Sequence, residues 1–289
     1  MSNQQTLVGM GGVSGLYDFG SGTVTFTANN NNTYGPNGPS LSDLRNGCNG
    51  GSWKNDTAFF NSSSGIILWV VPKTATYRIK TYGVRGSASM GSWQGGYGVE
   101  MRGDFALAEG DTIKMLVGQT GSSSYGGGGG MTAVATNSNT PLIVSGSGNC
   151  TSPWSGTSRN ATTSQTSVSG SPGWTSNNGD GGYTTNGVWG GAGFYGNPTG
   201  QPNCNYTQPY SFTNGGRGGA TCNGEGGFGG GSGTDGCCYG ASGAGAGYSG
   251  GSGTSSSSQY GGAGGSYNSG SNQSNGGNST WGRIDITIV

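Results

Sequence analysis

Residues 77–82 read Tyr77-Arg78-Ile79-Lys80-Thr81-Tyr82, and the far end of the chain carries Ile284-Asp285-Ile286-Thr287-Ile288. Both stretches alternate with period two, which places Tyr77, Ile79 and Thr81 on one face and the three isoleucines on another. That period belongs to strands with one buried face. Working outward, Ile66-Ile67-Leu68-Trp69-Val70-Val71 is a short apolar run ended by Pro72. A second alternating segment runs from Val99 to Leu107 and is closed by Glu109-Gly110-Asp111. Thr112-Ile113-Lys114-Met115-Leu116-Val117 and Leu142-Ile143-Val144 follow. No helical period persists beyond two turns, although Leu41-Ser42-Asp43-Leu44-Arg45 has the makings of a single turn. Short strands punctuated by turn residues predict an all-β chain, a β-sandwich or jelly roll with essentially no α-helix.

The remainder of the chain lacks the material for such a core. Glycine accounts for 68 of 289 residues, while Leu, Ile, Val and Phe together number only 37. Of those 37, residues 59–146 hold 19 and the last eight residues hold 4, but residues 147–281 hold only 5 beside 39 glycines. The expected organisation is therefore a polar N-terminal attachment region at 1–58, a β-sandwich from 59–146 plus 282–289, and a glycine-rich insertion at 147–281. Because the final strand must rejoin the sheet, both ends of the insertion should lie close together. The N-terminus shows no charged segment followed by an apolar one, so no signal peptide is visible.

Composition excludes several functions. Charged residues are sparse and balanced, 11 Lys+Arg against 11 Asp+Glu, so nothing attracts nucleic acid. No run approaches the ~20 apolar residues of a membrane span. Histidine is absent, which removes Ser-His-Asp and Cys-His catalysis and His-ligated zinc. No metal site and no cofactor are expected. Carboxylates are too scattered to nominate a glycosidase pair. Gly245-Ala246-Gly247-Tyr248-Ser249-Gly250 matches a dinucleotide-binding pattern, but the strand before it and the helix after it are missing. A non-enzymatic protein is expected.

Glycine at this density reads first as a flexible linker. Trp174, Trp189, Phe194, Tyr195, Phe228 and Tyr248 argue against that, since linkers rarely carry large rings. The alternative is polyglycine II, in which extended three-fold helices pack side by side and donate hydrogen bonds to one another. Suitable runs are Gly126-Gly127-Gly128-Gly129-Gly130, Gly226-Gly227-Phe228-Gly229-Gly230-Gly231, Gly243-Ala244-Gly245-Ala246-Gly247 and Gly261-Gly262-Ala263-Gly264-Gly265.

Several blocks, taken in order, resemble the glycine-rich extracellular region of anaplastic lymphoma kinase-type receptors. They are Tyr77-Arg78-Ile79, Tyr82-Gly83, Glu109-Gly110-Asp111, Leu116-Val117-Gly118-Gln119, Gly126 to Gly130, Pro141-Leu142-Ile143-Val144, Gly226 to Gly231 and Gly247-Tyr248-Ser249-Gly250-Gly251. The same blocks are similar to glycine-rich tail-fibre adhesins of bacteriophages, cyanophages in particular. The resemblance spans roughly 59–289 and implies a TNF-like sandwich carrying a polyglycine II bundle whose distal loops meet a host surface. The flanking block Gly38-Pro39-Ser40-Leu41-Ser42-Asp43-Leu44-Arg45 resembles openings of phage structural proteins. The resemblance thus implies a protein of the virion surface, with other virion proteins and a bacterial surface glycan or outer-membrane protein as partners. A homo-oligomer, plausibly a trimer, is implied in the same way. The alternatives are an extracellular receptor or ligand-binding domain of a eukaryote, and a purely structural fibril protein.

The candidate receptor-binding residues are Trp154, Trp174, Trp189, Phe194, Tyr195, Tyr206 and Tyr210. They stand between glycine blocks, where the chain should turn, and rings among Asn, Ser and Thr suit sugar or protein surfaces. The competing reading is that they plug the bundle margins. The six cysteines, Cys48, Cys150, Cys204, Cys222, Cys237 and Cys238, are candidates for three disulfides, with pairing left open. Asn-x-Ser/Thr sequons fall at Asn31, Asn55, Asn61, Asn149, Asn160, Asn205, Asn272 and Asn278, and would carry glycans only in a secreted eukaryotic protein. Arg102-Gly103-Asp104 spells an integrin tripeptide inside an expected strand, where it is not expected to act.

Overall fold

The computed structural model describes residues 17–20, 22–28, 34–88, 94–121, 125–151, 157–171, 173–185, 187–202, 206–235, 241–256 and 258–289. Its strands begin with β1 (Val24–Thr27), β2 (Phe60–Ser63), β3 (Ile66–Val70), β4 (Ala75–Tyr82) and β5 (Gly98–Leu107). They continue with β6 (Thr112–Leu116), β7 (Thr132–Thr136), β8 (Pro141–Ser145), β9 (Tyr183–Thr185) and β10 (Thr199–Gln201). Last come β11 (Tyr267–Asn268), β12 (Asn278–Ser279) and β13 (Arg283–Ile288). The chain is all-β. The one α-helix among the described residues, α1 (Leu41–Asn46), is the turn expected there. Ser40 caps it, with its hydroxyl accepting from the Asp43 N–H while the Asp43 carboxylate accepts from the Ser40 N–H, a capping box.

Two antiparallel sheets form a sandwich. One has the order β1-β13-β4-β5-β12 and the other β11-β8-β7-β6-β3-β2. The two alternating stretches lie side by side, with Ile286 opposite Ile79 and Ile284 opposite Thr81. On its other flank β13 pairs with β1, Ile284 facing Phe26. The inner faces meet in a core containing Ile79, Met101, Ile284 and Ile286 from one sheet and Ile67, Trp69, Met115, Val134 and Ile143 from the other. Each fully buried isoleucine here contributes about 1.5–3 kcal/mol. The core also takes in Phe26, Leu44, Cys48 and Trp53 from the N-terminal region read as polar. Trp69 and Tyr77 meet edge to face at 5.7 Å within it.

The six-stranded sheet is buried on its second face as well. Leu116, Ala133, Ala135 and Val144 alternate with the inner-face residues and pack against Phe194, Phe212, Phe228 and Tyr248 of the glycine-rich segment. The alanines of β7 leave room for these rings. Residues 147–281 thus bring few hydrophobic side chains but place three of their five large aliphatic or phenyl groups in one cluster.

Elsewhere that segment is held by backbone hydrogen bonds running in several directions. Within residues 126–130, Gly128 N–H donates to Ser232 O (2.9 Å), Gly129 N–H to Gly148 O (3.0 Å) and Gly130 N–H to Gln119 O (3.0 Å). Its carbonyls accept from Ser87 at Gly127 (3.0 Å), from Gly227 at Gly128 (3.1 Å) and from Ala246 at Gly129 (3.0 Å). A β-strand has two hydrogen-bonded neighbours, whereas this stretch is bonded to segments on more than two sides. The same holds further out: the Gly191 N–H donates to Gly251 O and the Gly191 carbonyl accepts from the Gly182 N–H, both at 2.8 Å. Glycine is required here for close approach, because a Cβ on Gly130 would lie 1.7 Å from the carbonyl oxygen of Phe228. Strand pairing closes the arrangement, with β11 on β8 and β12 on β5.

Candidate functional site

The seven aromatic candidates do not form one site. Trp174 is 36 % exposed and meets the equally open Tyr183 edge to face at 4.7 Å. Tyr183 begins β9, which pairs in parallel with β10, so this pair of rings stands on a small two-stranded ledge. Trp189 is half-buried, and its indole N–H donates to the Tyr206 carbonyl at 3.0 Å, which links two candidates. Tyr195 is exposed, and the Tyr195 N–H donates to Gly179 O at 2.9 Å. Its ring leans on Tyr248 at 6.3 Å, and Tyr248 stacks on Tyr267 at 4.7 Å. Desolvation and the neighbouring phenol of Tyr267 raise the pKa of Tyr195.

Phe194 is a correction. It is fully buried, stacked on Phe212 at 4.6 Å behind the six-stranded sheet, so no receptor reaches it. The glycines around it read as a bundle-end turn, but they let the chain dip inward and bury the ring. Trp154 lies outside the described residues.

Tyr210 opens onto a cleft of about 540 Å³ between the sandwich and the glycine-rich segment. Asn37, Ser40 and Ser62 line one wall, and Tyr210, Asn214 and Arg217 the other. A cleft of this size is within the range that holds small ligands, roughly 300–1,000 Å³. Its walls supply hydroxyl, amide and guanidinium groups beside the rings of Tyr210 and Phe228, a set suited to a ligand rich in hydroxyls.

The cysteines divide. Cys222 is disulfide-bonded, while Cys204, Cys237 and Cys238 lie outside the described residues. Cys48 and Cys150 are free buried thiols, which corrects the expectation that both are cross-linked. Cys48 packs in the sandwich core opposite Phe26, and Cys150 is walled in by backbone, with its N–H donating to Gly243 O at 2.9 Å. Burial raises the Cys48 thiol and pushes the Cys150 thiol up to about 11.

Three other motifs are also placed. Asp104 of the Arg102-Gly103-Asp104 tripeptide is buried within β5 and bound by Arg78 through two hydrogen bonds of 2.8 and 2.9 Å. Asn272 donates to it as well, at 3.0 Å, so the carboxylate is not offered to a partner. Of the sequons, Asn149 is fully buried, donating to Gly261 O and accepting from Arg159 N–H, and has no room for a glycan. Gly245 to Gly250 runs through the hydrogen-bonded glycine segments, with no helix after it among the described residues.

Sequence reasoning missed Tyr34, Tyr183 and Trp281, all large and exposed. Trp281 was visible as the single ring between the glycine-rich segment and the last strand. No group of three or more His, Cys, Asp or Glu side chains gathers among the described residues. No described helix is long and apolar enough to cross a membrane. No protein-family model matches the chain.

Proposed function

We propose that this chain is a non-enzymatic recognition protein of the adhesin type, displayed on a virion surface and binding a bacterial surface glycan or outer-membrane protein. The observation that carries the reading is the exposure of Trp174, Tyr183, Tyr195 and Tyr210 on backbone fixed by hydrogen bonds. Open rings on a rigid frame lose little conformational entropy when they bind. Residues 147–281 are read as a polyglycine II bundle and the sandwich as a TNF-like jelly roll, on the resemblance of the ordered glycine blocks. The N-terminal region would join other virion proteins, and a homotrimer follows from the TNF-like reading.

The test is binding of the purified chain to outer-membrane vesicles from a panel of bacteria, with and without Trp174→Ala and Tyr210→Ala. Binding to some vesicles, reduced at least tenfold in one variant, supports the reading. Absence of binding across the panel, or binding unchanged in both variants, overturns it.

A further inference from the structure

Trp281 is 42 % exposed, although its own carbonyl and that of Thr280 are held by hydrogen bonds. The Thr280 carbonyl accepts from Arg85 N–H at 3.0 Å, and the Trp281 carbonyl accepts from the Ser279 hydroxyl at 3.3 Å. Gly282 lies so close to Gly118 that a Cβ there would sit 2.1 Å from the Gly118 oxygen. The ring stands open to solvent on a backbone anchored on both sides.

Thr280 and Trp281 line two cavities at once. The first, of about 400 Å³, is completed by Tyr34, Arg85, Gln94 and Thr120. Tyr34 is 46 % exposed, which gives this cavity a second open ring. The Arg85 guanidinium is already oriented: its Nε donates to Gly95 O at 3.0 Å, it also bonds the Gln94 amide oxygen, and it stacks 4.3 Å from the Tyr97 ring centre. The second cavity, of about 290 Å³, is lined by Tyr82, Glu100, Asn278 and Arg283. Its charges are paired in place, Lys80 with Glu100 at 2.7 Å and Arg283 with Asp285 at 3.1 Å. Lys80 and Arg283 both stack on Tyr82, at 4.5 and 4.0 Å.

We infer that Trp281 is the stacking platform of a second binding site, one that takes a short oligosaccharide. The flat apolar face of a pyranose matches an exposed indole, and its hydroxyls match a rim of planar side chains held in place beforehand. The charges of the second cavity are paired in place, whereas Arg85, bonded to the neutral oxygens of Gly95 and Gln94, keeps its positive charge at the first, so acidic as well as neutral sugars suit the site. The site is built on the sandwich and its last connection, apart from Trp174 and Tyr210. It shares with the proposed function the premise that the chain recognises a surface, and specifies the sugar and the place.

The experiment is a glycan array of neutral and acidic mono- to tetrasaccharides probed with the labelled full chain. The best-bound sugar is then titrated calorimetrically into wild type, Trp281→Ala, Trp281→Phe, Gln94→Ala and Trp174→Ala. Expected is at least a tenfold affinity loss in Trp281→Ala, a loss within about threefold in Trp281→Phe, and no change in Trp174→Ala. Gln94→Ala, at the exposed rim, is expected to weaken binding about threefold and serves as the test if Trp281→Ala does not fold. No binding to any array sugar overturns the inference, as does full affinity in Trp281→Ala. Sugar binding lost only in Trp174→Ala overturns it while upholding the proposed function.

Discussion

Substituting Gly128 by alanine separates a structural lattice from a slack linker, because only the lattice loses several kcal/mol. A Cβ on Gly128 would lie 1.8 Å from the carbonyl oxygen of Ala244 and 2.3 Å from its carbon. Ordinary contact begins at 3.4 Å, so one backbone must retreat by about 1.6 Å. If residue 244 moves, its carbonyl leaves the Ser232 N–H, now at 3.1 Å. If residue 128 moves, its N–H leaves Ser232 O (2.9 Å) and its carbonyl leaves the Gly227 N–H (3.1 Å). Each buried backbone group left without a partner costs about 1–3 kcal/mol, so one lost bond, which orphans a donor and an acceptor, costs roughly 2–6 kcal/mol. Against a total stability of about 5–15 kcal/mol, that is a large fraction. At ~2–4 °C per kcal/mol for a domain of this size class, a 3 kcal/mol loss lowers Tm by about 6–12 °C. In a slack linker Gly→Ala changes stability little, whereas at an ordered, unobstructed glycine it stabilises by about 0.4–1 kcal/mol, because the unfolded chain loses freedom. Gly22, with nothing within 4 Å of a built Cβ, is the matched control and should show that behaviour. Urea unfolding followed by tryptophan fluorescence and far-UV circular dichroism reads both variants. Gly128→Ala within 0.5 kcal/mol of wild type would refute the reasoning.

Two further outcomes follow from the described contacts. The Arg78 hydrogen bonds lower the Asp104 pKa from its ordinary 3.8, so the stability this group contributes is complete above that value and is lost as pH falls through the lower folded pKa. Asp104→Asn should therefore lower Tm at pH 7 and flatten the acid limb of the stability profile below about pH 4. An unchanged acid limb would show that the ion pair contributes nothing to folding. Cys48 and Cys150, with raised pKa values, should resist iodoacetamide at pH 8 in the native protein and react in urea, as read by peptide mass mapping. Rapid native labelling of either would contradict its burial.

The parts of the fold written as side-chain alternation were legible in the sequence. β4, β5, β6, β8 and β13 carry period-two patterns with Ile, Leu, Val or Tyr on the inner face, and each forms where that pattern lies. β1 escaped because Val24-Thr25-Phe26-Thr27 is only four residues long among asparagine and glycine, and its pairing with Asp285 and Ile286 is visible only in space. β7 reads Thr132-Ala133-Val134-Ala135-Thr136, small residues that look unremarkable until the rings they accommodate arrive from 60 or more residues away. Phe194 illustrates the limit of reading glycine as a turn signal, since the same lack of a side chain that permits a turn also permits a ring to sink behind a sheet. Counting cysteines as an even number assumed that each could find a partner, whereas Cys48 and Cys150 were walled off by separate packing environments. Trp281 stands alone in the sequence after the glycine blocks, and the cavities on either side of it exist only in the folded chain.

The position of β13 bears on how this protein is made. β4 leaves the ribosome complete at Tyr82, yet one of its two neighbours in the sheet begins only at Arg283. At 5–20 residues per second, the intervening stretch of roughly 200 residues takes about 10–40 s to synthesise. For that interval the nascent sheet presents an uncapped edge with Tyr77 and Ile79 beside it, the kind of edge that recruits other chains. The glycine-rich segment emerges during the same interval, and with its scarcity of aliphatic side chains it offers that edge little to mispair with. A composition suited to close packing in the finished molecule is thus also a quiet one during translation.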